Sequence, residues 1–183
     1  MSDDRPAPAR QRPLSAAYLE RAALYYLERY TSSSENLRRV LLRKARRRLE
    51  PGQTADAEVA AMVGDVVDRV IAAGLVDDDA YADMKVNSLM RRGASTRSMR
   101  TKLLAKGVPD AAIAAALDSH APDELALARR FAERKRLGPW RRTDPAPFRD
   151  RDMASLGRAG FSYAVAREVL AGGRDEDEAD PAA

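Results

Sequence analysis

From Leu14 to Ala171 the apolar positions of the chain recur at helical spacing. Leu19, Ala22, Ala23, Tyr26, Leu27 and Tyr30 fall at steps of three and four, which predicts a helix starting after Ser15, a residue suited to an N-cap. The run "TSSSE" breaks that helix. Ser32 with Glu35 three residues on has the form of a capping box for a second helix, which carries Leu37, Val40, Leu41 and Ala45 and which Pro51-Gly52 would end. Val59, Met62, Val63, Val66, Val67, Val70 and Ile71 predict a third helix, because their spacing outranks the weak strand preference of valine; Gly74 suits its stop.

The same pattern continues to the end. Asp77, Asp78 and Asp79 open a helix to about Arg92, at the end where carboxylates are favourable. Ser95 caps a helix through Lys106, ended by Gly107. Pro109 suits the first turn of a helix to about Ser119, and Pro122 starts another to about Leu137. "GPWRRTDPAP" reads as a loop. The last two helices cover about 148–159 and 163–171, parted by Gly160. The expectation is an all-α chain of nine helices in threes: repeats at 14–74, 75–119 and 120–171, between an unstructured arm at 1–13 and an acidic tail at 172–183.

Two segments repeat in detail. Leu103, Gly107, Val108, Ala112, Ala116 and Leu117 align with Leu156, Gly160, Phe161, Val165, Val169 and Leu170. Further upstream, Ser33, Leu37, Leu41 and Lys44 match Ser95, Met99, Leu103 and Lys106, with Ala45 in place of the glycine. A lone three-helix unit buries little core, so tandem units are expected to share apolar faces and stack into an elongated, curved array.

Composition narrows the chemistry. Aromatics are only 5% of the chain, so the core must rest on Ala, Val, Leu and Met. Cysteine is absent and His120 is the one histidine, which removes disulfides, thiolate metal sites and a conventional catalytic triad. Neither a phosphate-binding P-loop, a GxSxG elbow nor an HExxH helix is present, so the expectation is a protein without enzymatic activity, cofactor or metal. With no apolar run approaching 18 residues and no signal-like start, a cytoplasmic setting is expected, and the chain is expected to be a monomer.

The net charge of +4 permits contact with nucleic acid or an acidic protein without establishing either. Its distribution says more. Arg38, Arg39, Arg43, Lys44, Arg46, Arg47 and Arg48 place seven cations in eleven residues. That density exceeds what the helix dipole requires and favours a contact with phosphates or an acidic surface. A second set is Arg91, Arg92, Arg97, Arg100, Lys102 and Lys106. The third comprises Arg129, Arg130, Arg134, Lys135, Arg136, Arg141 and Arg142. Each of these two sets alone reads more readily as solvated surface; in stacked units the three would form one stripe.

Other features have plainer readings. Tyr18, Tyr25, Tyr26 and Tyr30 suit a core rim better than a base-stacking platform, and Trp140 suits packing over the core better than an exposed anchor. Asp77–Asp79 read as a helix start rather than a metal site, and His120 as an exposed linker residue. The acidic tail reads first as solubilising, with a DNA-mimicking contact on the basic helices as the alternative. Gly157 should weaken its helix, and would permit a close helix contact.

"GLVDDDAYA" (Gly74–Ala82), "RRGASTRSMRTKLLAKGVPDAAIAAAL" (Arg91–Leu117), "DELALARRFAERK" (Asp123–Lys135) and "LGRAGFSYAVAREVL" (Leu156–Leu170) together resemble the RecX regulatory proteins. The resemblance spans nearly the whole of Leu14–Leu170. It implies three tandem three-helix units and a regulator that binds the RecA recombinase filament in homologous recombination, DNA repair and the SOS response. It further implies inhibition of ATPase, strand-exchange and coprotease activities, with weak, non-specific binding of single- or double-stranded DNA in some members. The alternative is a helix-turn-helix protein acting on DNA directly, its turns at Lys106-Gly107-Val108 and Ala159-Gly160-Phe161. The helices after those turns are alanine-rich, with few side chains besides Arg167 able to read base edges.

Overall fold

Four serines start helices by one device. Ser15, Ser33, Ser95 and Ser162 hold extended backbone, and each hydroxyl accepts a hydrogen bond from the backbone N–H three residues on, at 3.2–3.3 Å. Each such cap stabilises its helix by about 1 kcal/mol relative to alanine. The computed structural model describes residues 14–49 and 56–172. Among them the chain forms nine α-helices and two 3₁₀ turns, with no strand: α1 Ala16–Leu27, α2 Ser34–Arg46, α3 Asp56–Ala72, α4 Asp78–Arg91, α5 Thr96–Ala105, α6 Asp110–His120, α7 Glu124–Lys135, α8 Arg149–Arg158 and α9 Tyr163–Ala171. The arm at 1–13, Pro51-Gly52 and the tail beyond Gly172 lie outside the described residues. No described helix is long and apolar enough to cross a membrane.

Several boundaries differ from the sequence expectation. The cap of α2 is Ser33, not Ser32. Ser32 is engaged elsewhere: its hydroxyl donates to the Ser33 carbonyl and accepts from the Asn36 amide at 2.8 Å, while Glu35 turns to Arg38 and Arg39. α1 stops at Leu27, leaving Tyr30 in the following turn with its ring 5.1 Å from that of Tyr26. α2 stops at Arg46, upstream of Pro51-Gly52, the end that the sequence predicts. Pro122 precedes α7 rather than starting it; the Asp123 carboxylate caps the helix by accepting from the N–H groups of Leu125 and Ala126. The 138–147 loop holds one 3₁₀ turn, Gly138–Trp140, and the start of a second, Ala146–Phe148. Trp140 is half-buried against the core.

The repeated glycines end helices alike. Gly107 and Gly160 have φ of 73° and 98°. In each case the next residue's N–H reaches back five positions, Val108 to the Leu103 carbonyl and Phe161 to that of Leu156. This is the Schellman arrangement, with the apolar residue after the glycine turned into the core. The upstream match also holds locally: Ser33 and Ser95 are both caps, and Leu37, Leu41, Met99 and Leu103 are all buried.

The chain divides into two units between Asp77 and Asp78. In the first, α1, α2 and α3 enclose Leu19, Ala23, Leu37, Leu41, Val59, Val63, Val66 and Val67. Ile71, counted above on the apolar stripe of α3, is exposed. The second unit has one continuous core, from Val86, Met99, Leu103 and Ile113 to Leu127, Leu156, Phe161 and Val169, so α4–α6 and α7–α9 share it. α4 packs on α6, while α7 and α8 pack on α9. His120 is not a linker residue: it ends α6, and its Nε2 lies 2.8 Å from Asp83 Oδ1 of α4.

Among the described residues one carboxylate is fully buried. Asp152 of α8 is 1% exposed and holds the 138–148 segment. Oδ2 accepts from the Gly138 N–H and from Arg141 Nε, both at 2.8 Å; Oδ1 accepts from Arg141 Nη2. The guanidinium also lies 4.2 Å from the Phe148 ring centroid. Burial opposes ionisation of Asp152, but the hydrogen bonds from Arg141 and Gly138 outweigh it and hold the carboxyl below its usual range. Arg141, placed above in a basic surface set, is thus a structural partner.

Asp152→Asn leaves the guanidinium unbalanced and is expected to cost about 3 kcal/mol in urea unfolding. Because the folded pKa is depressed, this stabilisation is full above the unfolded value of about 4 and is lost as pH falls through the folded one. The parent should therefore lose stability below about pH 4 more steeply than the variant. Gly157 is exposed, and a Cβ added there would meet nothing within 4 Å, so it serves no close helix contact. Gly157→Ala is expected to raise stability by up to about 1 kcal/mol, read as a higher urea midpoint with unchanged slope.

Candidate functional site

In the first unit the basic set of α2 is partly consumed by structure. Arg38 and Arg39 lie 3.5 and 3.0 Å from the Glu35 carboxylate, and Arg46 lies 3.9 Å from that of Asp56. Arg48 stacks 4.1 Å from the Tyr18 ring centroid. Among the described residues no carboxylate pairs with Arg43, Lys44 or Arg47. Tyr18 and Tyr26 pack against the core, whereas Tyr25 and Tyr30 are exposed.

In the second unit the packing sorts the other two sets. Arg100 is tied to Asp110 at 2.5 Å, and Arg141 is held by Asp152. Arg92 and Lys102 from one set meet Arg134 from the other across a cleft of about 400 Å³. The end of α4, α5, α7 and α8 form its walls. Arg158 of α8, which the sequence reading did not select, completes the ring of cations. Arg134 is steadied because its Nη1 donates to the Arg92 carbonyl.

This cleft continues on both sides. Leu89, Arg92 and Lys102 are shared with a neighbouring cleft of about 390 Å³ that adds Lys85 and Lys106. Ser98, Lys102, Arg158 and Ala159 are shared with a third, of about 320 Å³, that adds Arg97. The three adjoining clefts, all of them lined by Lys102, make up a groove with seven cationic side chains and no carboxylate among its lining residues. Like charges gathered in a cleft focus a positive potential and raise the local concentration of anions. Arg91, Arg129, Arg130, Lys135, Arg136 and Arg142 are exposed and do not line these clefts.

The groove exists because three contacts fix its walls. The Ser95 hydroxyl both caps α5 and donates to the Ala159 carbonyl at 2.7 Å. The Thr96 N–H donates to Glu124 Oε1 of α7 at 2.6 Å. A Cβ on Gly93 would lie 2.7 Å from the Phe131 backbone nitrogen, so the end of α4 approaches α7 as closely as glycine allows. Arg158 and Lys85 were not legible as site residues, because they lie outside any dense basic run and only packing brings them to Lys102. No group of three or more His, Cys, Asp or Glu side chains among the described residues could hold a metal ion.

Comparison with known proteins agrees with this architecture. A sequence model of the family described as "RecX, second three-helix domain" matches residues 77–117, which hold α4, α5 and most of α6. The chain is similar to Regulatory protein RecX of Myxococcus xanthus, at 43% identity over 168 residues covering 89% of each chain. It is similar to that of Agrobacterium fabrum at 32% identity over 163 residues, covering 88% of this chain and 86% of the other. In fold it is similar to a crystal structure of regulatory protein RecX, with a TM-score of 0.63 at 20% identity, covering 84% of this chain and 70% of that one. With such identity across most of both sequences, the chain belongs to the RecX regulatory protein family.

Proposed function

We propose that this chain is a cytoplasmic, non-enzymatic regulator that binds the RecA recombinase filament and damps its ATPase, strand-exchange and coprotease activities. Family membership supports the regulatory role. The observation that carries the binding mode is the carboxylate-free cationic groove of the second unit, with Arg43, Lys44 and Arg47 as a second cationic face in the first. Division into three repeats, 14–74, 75–119 and 120–171, belongs to the same proposal. Several weak contacts on one chain reinforce each other through effective concentration, which suits a long, repetitive partner.

Direct, base-specific DNA reading fits poorly. α6, in the position of a recognition helix, exposes Ala111, Ala115, Asp110 and Asp118. Alanine and aspartate supply little for the grooves of DNA, and the carboxylates oppose the phosphates.

The direct test is recombinase ATPase on single-stranded DNA, titrated with this protein. Loss of activity at sub-stoichiometric ratios is expected; an unchanged rate would refute the proposal. Charge reversal at Arg43, Lys44 and Arg47, and separately at Lys102 and Arg158, should each weaken inhibition roughly tenfold at an unchanged melting temperature. Without recombinase, DNA binding should be weak and sequence-independent, its log affinity falling with log salt by about 0.9 per phosphate contacted. Tight binding to one sequence at moderate salt would instead point to a direct DNA regulator.

A further inference from the structure

The groove of the second unit has seven cations and no carboxylate of its own, and the same unit leads into the most acidic segment of the chain. Asp175, Glu176, Asp177, Glu178 and Asp180 lie within six residues, with Arg174 the nearest opposing charge in sequence. The first of them is three residues beyond Gly172, which follows α9.

Reach decides whether these carboxylates can serve the groove. α9 has nine residues, so its two ends are about 13 Å apart. Its cap, Ser162, follows Gly160, which lines the groove together with Arg97, Lys102 and Arg158. Three to eight extended residues beyond Gly172 span about 10–28 Å. The segment is therefore long enough to double back along α9 and place carboxylates among those cations. Charge complementarity favours that course, since nothing acidic in the groove walls would repel it.

We infer that the segment Asp175–Asp180 docks in the cationic groove as an intramolecular polyanion, held there until salt or an anionic partner displaces it. This rests on the groove being the polyanion-binding surface read above, and it adds the regulation of that surface. The affinity measured with the tail present is then a competition, weakened by the local concentration of the chain's own carboxylates.

The chain's lysines make the test direct. Lys85, Lys102 and Lys106 line the groove, and Lys44 and Lys135 do not. Carbodiimide coupling of the full chain at low salt, followed by peptide mass mapping, should join 175–180 carboxylates to Lys102 or Lys106 in preference to Lys44 and Lys135. That preference should fade in high salt. In parallel, the variant Asp175→Asn, Glu176→Gln, Asp177→Asn, Glu178→Gln should bind a labelled oligothymidylate roughly three- to tenfold more tightly than the parent at low salt. Its advantage should shrink at about 0.3 M salt. Coupling spread evenly over the five lysines, or an oligothymidylate affinity unchanged by the variant, would overturn the inference. If the coupling and affinity results hold while neither form inhibits the recombinase, the tail contact stands and the filament-regulator reading falls.

Discussion

The second unit depends on how the start of α5 is held. Ser95 spends one hydroxyl on two tasks, capping its own helix and bonding the Ala159 carbonyl of the α8–α9 turn. Glu124, from the first turn of α7, takes the Thr96 N–H. Three helix ends are thereby fixed against each other, and the left-handed turn at Gly160 lets them approach so closely that a Cβ there would lie 2.5 Å from the Ser95 oxygen. A shared core follows from this junction, and so does the groove, whose cations stand on the helices it joins.

Charge in this protein divides by partner. Where a cation has a carboxylate in reach, it serves the fold: Arg141 on Asp152, Arg100 on Asp110, Arg38 and Arg39 on Glu35. The exposed pairs contribute little each, while the buried one organises a whole connecting segment. Cations gathered without carboxylates repel one another, a cost that is offset only when an anion arrives. Arg92, Arg97, Lys102, Arg134 and Arg158, which line two adjoining clefts, are such a gathering. Its position on a shared core gives it the rigidity that loop-borne arginines lack.

Much of this was readable beforehand, and for identifiable reasons. Serine caps, a glycine followed by an apolar residue, and steps of three and four are local signals, so the nine helices of the described residues and the Leu103/Leu156 correspondence could be placed without coordinates. The errors share a cause. Ser32 and Ser33 are equally good caps by type; the choice came from Asn36 engaging Ser32. His120 looked like a linker residue because its partner, Asp83, is 37 positions away. Arg141 looked like surface because Asp152 carries no mark in sequence that it is buried.

By itself, then, the sequence determined which segments form helices and the family, because each depends on backbone hydrogen bonding within a few residues or on similarity along the chain; the ends of α1, α2 and α7 it placed only approximately. Tertiary structure decided which arginines are structural and which face a groove. Coulomb energy depends on distance through space, and Arg92, Lys102, Arg134 and Arg158 become neighbours only once α4, α5, α7 and α8 share a core.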